Sequence, residues 1–429
     1  MDRILDPDRL AQMGRELRQE LASSNELAGD WIRRAAQMLV EQMLSAEVDE
    51  ALGRGSYQRR DDGQAPEGKP FLGYRNGYKG RSIRTAEGKI AVDVPQVRGR
   101  EDGPYRSAIW QALGKRSPAL EKLAVEMYAR GLSTRDIEDL LKELSDEQEP
   151  LLSKSAVSRV TEVLWEEFEA FARRDLSSFD VVYLFCDAVY ESLRQQAGCR
   201  QAILVTWAIC SDGSKVLLHL SLGNKESSDA WLEHLRSVVS RNLPVPLTLT
   251  TDGAPGLIKA VEAMWPESER IRCWFHKMQN VLEKVPDEMR EPIKRLLQDV
   301  RDAPDHPTGM QRARALIDRY ERELPSAMAC LGEDLEATLA HLKLPSLHQK
   351  MIRTTNLCER SFVEERRRSK VIPHFFDERS CLKLVFATLW RASQRWRGVR
   401  FTEMERKQLE AYIRVRQAMG KKVRDLQAA

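Results

Sequence analysis

Val181-Val182-Tyr183-Leu184-Phe185-Cys186-Asp187 is a nearly continuous apolar run that ends in a carboxylate. Such a run, bounded by a polar residue, reads as a buried strand. An unpaired carboxylate is costly to bury, so Asp187 asks for a chemical reason. Residues 202–209 and 215–222 read as two more strands, joined by the hairpin turn Ser211-Asp212-Gly213-Ser214. That turn accounts for Asp212. Residues 226–241 form a helical pattern with Trp231, Leu235 and Val238 on one face. A short strand, residues 247–251, then runs into Asp252-Gly253. A helix over 255–264, a strand over 270–274 and a helix from Lys277 follow.

Three antiparallel strands, helix, strand, helix, strand, helix is the order of an RNase H-like domain, an α/β sheet with helices on both faces. Residues 286–345 look helical and polar, with Pro286, Pro292, Pro304, Pro307 and Pro325 as breaks. This block is a helical insertion within the core. A helix over 356–370 brings the chain back, and helices continue past Phe386 and Trp396 to Tyr412.

Upstream of the core the pattern differs. Ile32, Ala36, Leu39 and Met43 recur at helical spacing over residues 31–52, a helix suited to packing or dimerisation. Residues 53–103 are rich in Gly, Arg and Tyr, as in Gly73-Tyr74-Arg75-Asn76-Gly77-Tyr78-Lys79-Gly80-Arg81, and Ile90-Ala91-Val92-Asp93-Val94 alternates like a strand. Tyrosine interleaved with cations suits phosphate contact and stacking, which makes Arg75, Lys79 and Arg81 candidates for DNA binding. Helices are expected over 120–130, over 134–144 behind a Ser133 cap with Asp136, and over 154–170 behind a Ser153 cap. The three resemble a helix-turn-helix unit whose Lys154, Ser155, Ser158 and Arg159 would enter a major groove.

A length of 429 residues is too great for one ordinary domain. The reading is a multidomain α/β plus α chain: an N-terminal helical segment (1–53), a basic β-rich module (54–116), a helix-turn-helix-like domain (117–172), core (178–285), helical insertion (286–352), the returning core helix (353–400) and a helical tail (401–429). No apolar run could span a bilayer, and the N-terminus carries no secretion signal. Seven cysteines without a Cys-x-x-Cys pair suit a reducing, cytoplasmic home. Net charge is only +3, yet residues 54–116 hold 14 Lys/Arg against 7 Asp/Glu and residues 353–400 hold 12 against 5. Two basic blocks around an acidic middle suit a protein that grips phosphates at two places and keeps carboxylates between them.

Asp187 and Asp252 both end strands, the usual place for a site in an α/β sheet. Two carboxylates brought together repel unless a cation neutralises them, and oxygen ligands select Mg²⁺ or Mn²⁺. A third carboxylate would complete a clamp for two ions roughly 3.5–4 Å apart. Glu359, Glu364 and Glu365 all lie on the returning helix, and composition does not choose among them.

Four ordered motifs now stand out: Tyr183-Leu184-Phe185-Cys186-Asp187-Ala188-Val189-Tyr190, Thr251-Asp252-Gly253-Ala254-Pro255-Gly256-Leu257, Arg272-Cys273-Trp274-Phe275-His276 and Arg353-Thr354-Thr355-Asn356-Leu357-Cys358-Glu359-Arg360. Together they resemble the Mutator-like transposases of bacterial insertion sequences. The resemblance implies an Asp-Asp-Glu triad of Asp187, Asp252 and Glu359, spaced by 65 and 107 residues, with the helical insertion in the longer gap. It also implies a Cys-x-x-His element, Cys273 with His276, supporting the site. Ala188 departs from the glycine that many relatives carry there. The expected activity is cleavage at element ends and strand transfer on double-stranded DNA (terminal inverted repeats and target), with two Mg²⁺ or Mn²⁺ ions and a homo-oligomer of at least two chains. Arg366, Arg367, Arg368 and Lys370, just beyond Glu359, would hold the phosphate backbone. The rivals are a nuclease of the same fold that does not join strands, and a DNA-binding regulator with a dead core. The presence of all three carboxylates counts against the second.

Overall fold

The computed structural model describes residues 11–12, 14–15, 18–19, 28–55, 73–100, 103–145, 149–193, 200–223, 226–370, 372 and 375–427, with side chains to Arg416. It forms two compact units, Met1–Glu162 and Val163–Ala429.

In the first unit, helix α1 (Ala28–Leu52) packs on a hairpin of β1 (Tyr74–Thr85) and β2 (Gly88–Arg98). Leu44 and Val40 of the helix meet Ile83, Ile90, Val92 and Val94, while Trp31, Ile32 and Leu39 stay exposed. Then come α2 (Ala108–Leu113), α3 (Pro118–Ala129), α4 (Thr134–Glu143) and α5 (Lys154–Val160). Ser107, Ser117, Ser133 and Ser153 cap them in turn, Ser133 in a capping box with Asp136. Leu120, Ile137, Leu141, Leu152 and Val157 form their shared core.

The helix expected over 154–170 is broken. Thr161 caps α5 and returns its hydroxyl to the Ser158 carbonyl at 3.0 Å, a local bond that competes with the helical ladder. The remainder, α6 (Val163–Arg173), belongs to the second unit, where Phe168 and Phe171 pack against Phe386.

The second unit is built on five strands: β3 (Val181–Ser192), β4 (Arg200–Cys210), β5 (Lys215–Gly223), β6 (Thr248–Thr251) and β7 (Glu269–Arg272), in the order β5-β4-β3-β6-β7. β3, β4 and β5 are antiparallel, and β6 and β7 run parallel to β3. This mixed sheet is consistent with an RNase H-like core. Helices α7 (Ser228–Val239) and α8 (Pro255–Met264) cover one face, where Leu184, Cys186 and Leu204 meet Trp231, Leu235 and Leu257.

The block from α9 (Trp274–Leu282) through α10 (Asp287–Arg301), α11 (His306–Tyr320), α12 (Pro325–Gly332), α13 (Leu335–Leu339), a 3₁₀ turn (Ala340–Lys343) and α14 (Ser346–Ile352) has its own apolar core. Pro292 does not break it: the residue lies inside α10 with Glu288, whose carbonyl it leaves free, on the exposed side of the helix. α15 (Asn356–Ser369) and α16 (Glu378–Ser393) cover the second face of the sheet, and α17 (Glu403–Gln427) ends the described chain. Among the described residues no helix is long and apolar enough to cross a membrane.

Candidate active site

Cys186 and Thr251 form the last parallel pair between β3 and β6. Asp187 and Asp252 therefore follow on neighbouring strands, at a sheet spacing of about 4.8 Å between chains. β6 stops there, while β3 continues to Ser192 in register with β4 and fixes Asp187 opposite Val205. Leu184 and Cys186 face α7 and α8, so alternation turns Asp187 toward α15. Its carboxylate is 8 % exposed and accepts from the Ala188 amide at 2.9 Å. Burial, then the neighbouring Asp252, push its pKa up to about 7, against the pull of a hydrogen bond from Thr355.

Asp252 Oδ1 accepts the Ala254 amide at 2.9 Å, closing a turn in which Gly253 takes φ +89°. The expected strand to residue 274 ends at Arg272, and α9 begins at Trp274. Cys273 is thus the cap position of α9, fully buried, and His276 falls in its first turn. Cys273 Sγ receives the Thr355 amide at 3.4 Å and its hydroxyl at 3.6 Å. The hydrogen bond to Cys273 pushes His276 up to about 9, with Asp187 and Asp252 adding to it against the cost of burial.

Glu359 sits in the first turn of α15, and its Oε1 accepts from the Thr355 hydroxyl at 3.3 Å. A ligand atom from each of Cys273, His276 and Glu359 lies within 4.8 Å of the other two. The Thr355 side chain thus reaches Asp187, Cys273 and Glu359 from the cap of α15. Its place in the sequence gave no hint of these contacts.

The other glutamates of α15 face elsewhere. Glu364 is ion-paired to Arg367 at 2.7 Å and Arg368 at 2.8 Å. Glu365 is 1 % exposed beside Glu191, and burial followed by that like charge pushes it up to about 8.

A family model described as Transposase, Mutator family, matches residues 10–398. The chain belongs to the Mutator family of transposases. It is 31 % identical over 369 residues, 86 % of its own length and 89 % of the relative's, to the transposase for insertion sequence element ISRM5 of Rhizobium meliloti (strain 1021). It is 30 % identical to the transposase for IS406 of Burkholderia multivorans, covering 84 % of this chain and 90 % of that one. It is 25 % identical to the transposase for IS256 in transposon Tn4001 of Staphylococcus aureus, covering 83 % and 88 %. Its function is that of a transposase of insertion sequence elements, an enzyme that acts on DNA.

In this transposase the basic candidates divide by what holds them. Lys154, Ser155, Ser158 and Arg159 are all exposed on α5, and Lys79 and Arg81 on β1. Arg75 is partly buried, paired with Asp49 and bonded to the Arg54 carbonyl. Arg366, Arg367 and Lys370 are exposed, and Arg367 and the partly buried Arg368 are also ion-paired to Glu364 on their own helix.

Two residues that sequence reading passed over adjoin the site. Glu226, just before the Ser227 cap of α7, is half-buried and feels Asp252 and His276, and its carboxylate accepts from the Tyr190 hydroxyl.

Proposed function

We propose that this transposase cuts element ends and transfers the freed strands at a centre made of Asp187, Asp252 and Glu359 in an RNase H-like core. The observation that carries this reading is the pairing of Cys186 with Thr251, which sets Asp187 and Asp252 side by side where β6 ends, with Glu359 held in the first turn of α15 by the Thr355 hydroxyl.

The donor set fits a hard divalent ion. Burial of Asp187 and the like charge of Asp252 beside it drive Asp187 toward its protonated form, a penalty that a cation would relieve. Asp187, Asp252 and Glu359 would hold Mg²⁺ or Mn²⁺, as two ions. When bound, these would supply Lewis-acid stabilisation of the attacking and leaving oxygens. Cys273, engaged by Thr355 and His276, is a support and not a hard-ion ligand.

The protein's own groups then have distinct tasks. Asp187 gives up its proton before it can act as a ligand. His276, protonated at neutral pH, offers positive charge to a phosphate oxygen, and Cys273 keeps the ring in place. Hydrolysis of one phosphodiester frees a 3′-OH and leaves a 5′-phosphate. That hydroxyl next attacks a phosphodiester of the target, forming one bond as the target's 3′-oxygen leaves. Lys154, Ser155, Ser158 and Arg159 of α5 hold end DNA, and Arg75, Lys79, Arg81, Arg366, Arg367, Arg368 and Lys370 serve its backbone. Two ends joined in one reaction call for at least a dimer.

The test is a labelled element-end duplex incubated with the full chain, target plasmid and Mg²⁺. Nicked and joined products are expected from the wild type and neither from Asp187→Asn or Asp252→Asn. Full cleavage by either variant overturns the assignment, and cleavage without joining by the wild type favours a nuclease.

A further inference from the structure

We propose that Glu226 is a fourth carboxylate of the catalytic centre, reaching the divalent-ion site from the α7 side of the sheet and aimed there by Tyr190. The proposal rests on the assignment of Asp187, Asp252 and Glu359 above.

Placement comes first. Along β3, Leu184, Cys186 and Ala188 pack toward α7 and α8, so Tyr190 projects from that same face. Its hydroxyl donates to the Glu226 carboxylate. The backbone of Glu226 is clamped as well: a Cβ on Gly256 would lie 2.7 Å from the Glu226 carbonyl oxygen and 2.8 Å from the Ser228 nitrogen. Gly256 belongs to the first turn of α8, and Ala254, the cap position of that helix, is the residue whose amide bonds Asp252. One close backbone contact therefore ties Glu226 to the turn that carries Asp252.

Charge points the same way. The Glu226 carboxylate lies within electrostatic reach of Asp252, a like charge, and of His276, an opposite one. Among the described residues no Lys or Arg is ion-paired with it. A half-buried carboxylate held beside a second one, with only a phenol and a partly screened imidazolium for company, is offset by a cation placed between them. Asp187 faces α15, the helix that carries Glu359, whereas Glu226 stands at the start of α7 on the other face of the sheet. A plain structural reading gives Glu226 no task beyond fixing Tyr190, and it leaves ion affinity unchanged.

The experiment is calorimetric titration of Mn²⁺ into the full chain without DNA, beside melting curves in EDTA. Glu226→Gln is expected to weaken Mn²⁺ binding about tenfold or more, and Tyr190→Phe to weaken it by less, as ligand and supporting groups do. The Mn²⁺ concentration for half-maximal end cleavage should rise by the same factors, with activity recovering at high metal. Melting in EDTA should be unchanged or improved in Glu226→Gln, because a repulsion has been removed. Wild-type Mn²⁺ affinity in Glu226→Gln overturns the proposal while Asp187→Asn still binds weakly. Wild-type affinity in Asp187→Asn overturns the underlying triad instead. Should Glu226→Gln fail to fold, Glu226→Asp keeps the charge but shortens its reach, and an intact Mn²⁺ affinity there counts against the proposal.

Discussion

The Arg272 guanidinium lies across the Cα of Gly253: a Cβ at that glycine would fall 0.9 Å from Arg272 Nη1. Arg272 ends β7, is 7 % exposed, and pairs in register with Thr251, the residue before Asp252. The arginine thus roofs the turn that presents Asp252. Gly253→Ala meets two penalties, about 1–2 kcal/mol for a positive φ in a residue with a side chain and about 1–3 kcal/mol for overpacking. The expected outcome is a lower melting temperature together with loss of Mn²⁺ binding. In Gly253→Ala/Arg272→Ala the overpacking is gone, so the double variant should melt higher than the sum of the singles requires. Strict additivity in the melting data would show that the two residues do not meet.

The three glutamates of α15 should separate cleanly. Glu359→Gln removes the carboxylate that receives the Thr355 hydroxyl, and is expected to abolish end cleavage and strand transfer while DNA binding persists. Glu365→Gln is expected to keep both folding and activity. With its pKa near 8, Glu365 is mostly protonated at pH 7, and a neutral amide of the same shape replaces it at little cost. Glu364→Gln loses only ion pairs with a partly exposed surface, and catalysis should stay within about threefold, since such pairs contribute about 1 kcal/mol or less. An active Glu359→Gln beside a dead Glu365→Gln would reverse the assignment.

Much of this was legible in the sequence because one physical signal dominated each element. The buried run over residues 181–186, the Asp212-Gly213 turn and the Pro255 start of α8 each appear as read, but Asp187 does not end its strand: β3 continues to Ser192 because residues 188–192 stay paired with β4. The break at Thr161 was not legible, because the residues on both sides keep helical periodicity and the interruption is a side-chain bond to the Ser158 carbonyl. The start of α9 was misplaced by three residues, since Cys273-Trp274-Phe275 is as suitable for a strand as for a buried helix start. At the site, motif spacing indicated which acids to consider. Thr355 and Glu226 escaped because their partners lie far away in the chain, which periodicity does not encode.

Above neutral pH, stability without metal should fall as pH rises. Asp187 has a pKa raised from 3.8 to about 7 and Glu365 from 4.5 to about 8, so the folded state binds their protons more tightly than the unfolded chain. Their contribution is complete below about pH 4 and is lost progressively as pH climbs through 7 and 8. His276, raised from 6.5 to about 9, acts in the same direction over a higher window, complete below 6.5 and lost through 9. Below about pH 6.5 the buried histidines His219, His234 and His341, whose pKa values are lowered by burial, act in the opposite sense, so the decline in melting temperature in EDTA is expected between pH 7 and pH 9. Saturating Mn²⁺ should flatten the part due to Asp187, because an ion takes the place of its proton. Asp187→Asn should flatten the same part without metal. A melting temperature in EDTA that climbs steadily across this range would contradict the buried pairing of Asp187 with Asp252.

DNA affinity offers the last and most discriminating prediction, because cations on the two units differ in what already holds them. Lys154 and Arg159 stand exposed on α5, so Lys154→Ala/Arg159→Ala should weaken binding to element-end duplex. The salt dependence should fall too, by about one counterion for each phosphate left without its cation. Arg367 and Arg368 begin from the opposite condition: both are committed to Glu364 at 2.7 and 2.8 Å. Removing their partner frees charge that the helix now neutralises. Glu364→Gln is therefore expected to bind duplex DNA of any sequence more tightly than the wild type, by a few-fold at low salt, with a steeper loss of affinity as salt rises. Fluorescence anisotropy over a salt series, on end and unrelated duplexes, measures both effects at once. The α5 variant should lose its preference for ends, whereas Glu364→Gln should gain on both duplexes alike and so narrow the ratio between them. If Glu364→Gln leaves affinity and salt slope untouched, Arg367 and Arg368 do not meet the backbone, and the exposed Arg360, Arg366 and Lys370 are left to touch it.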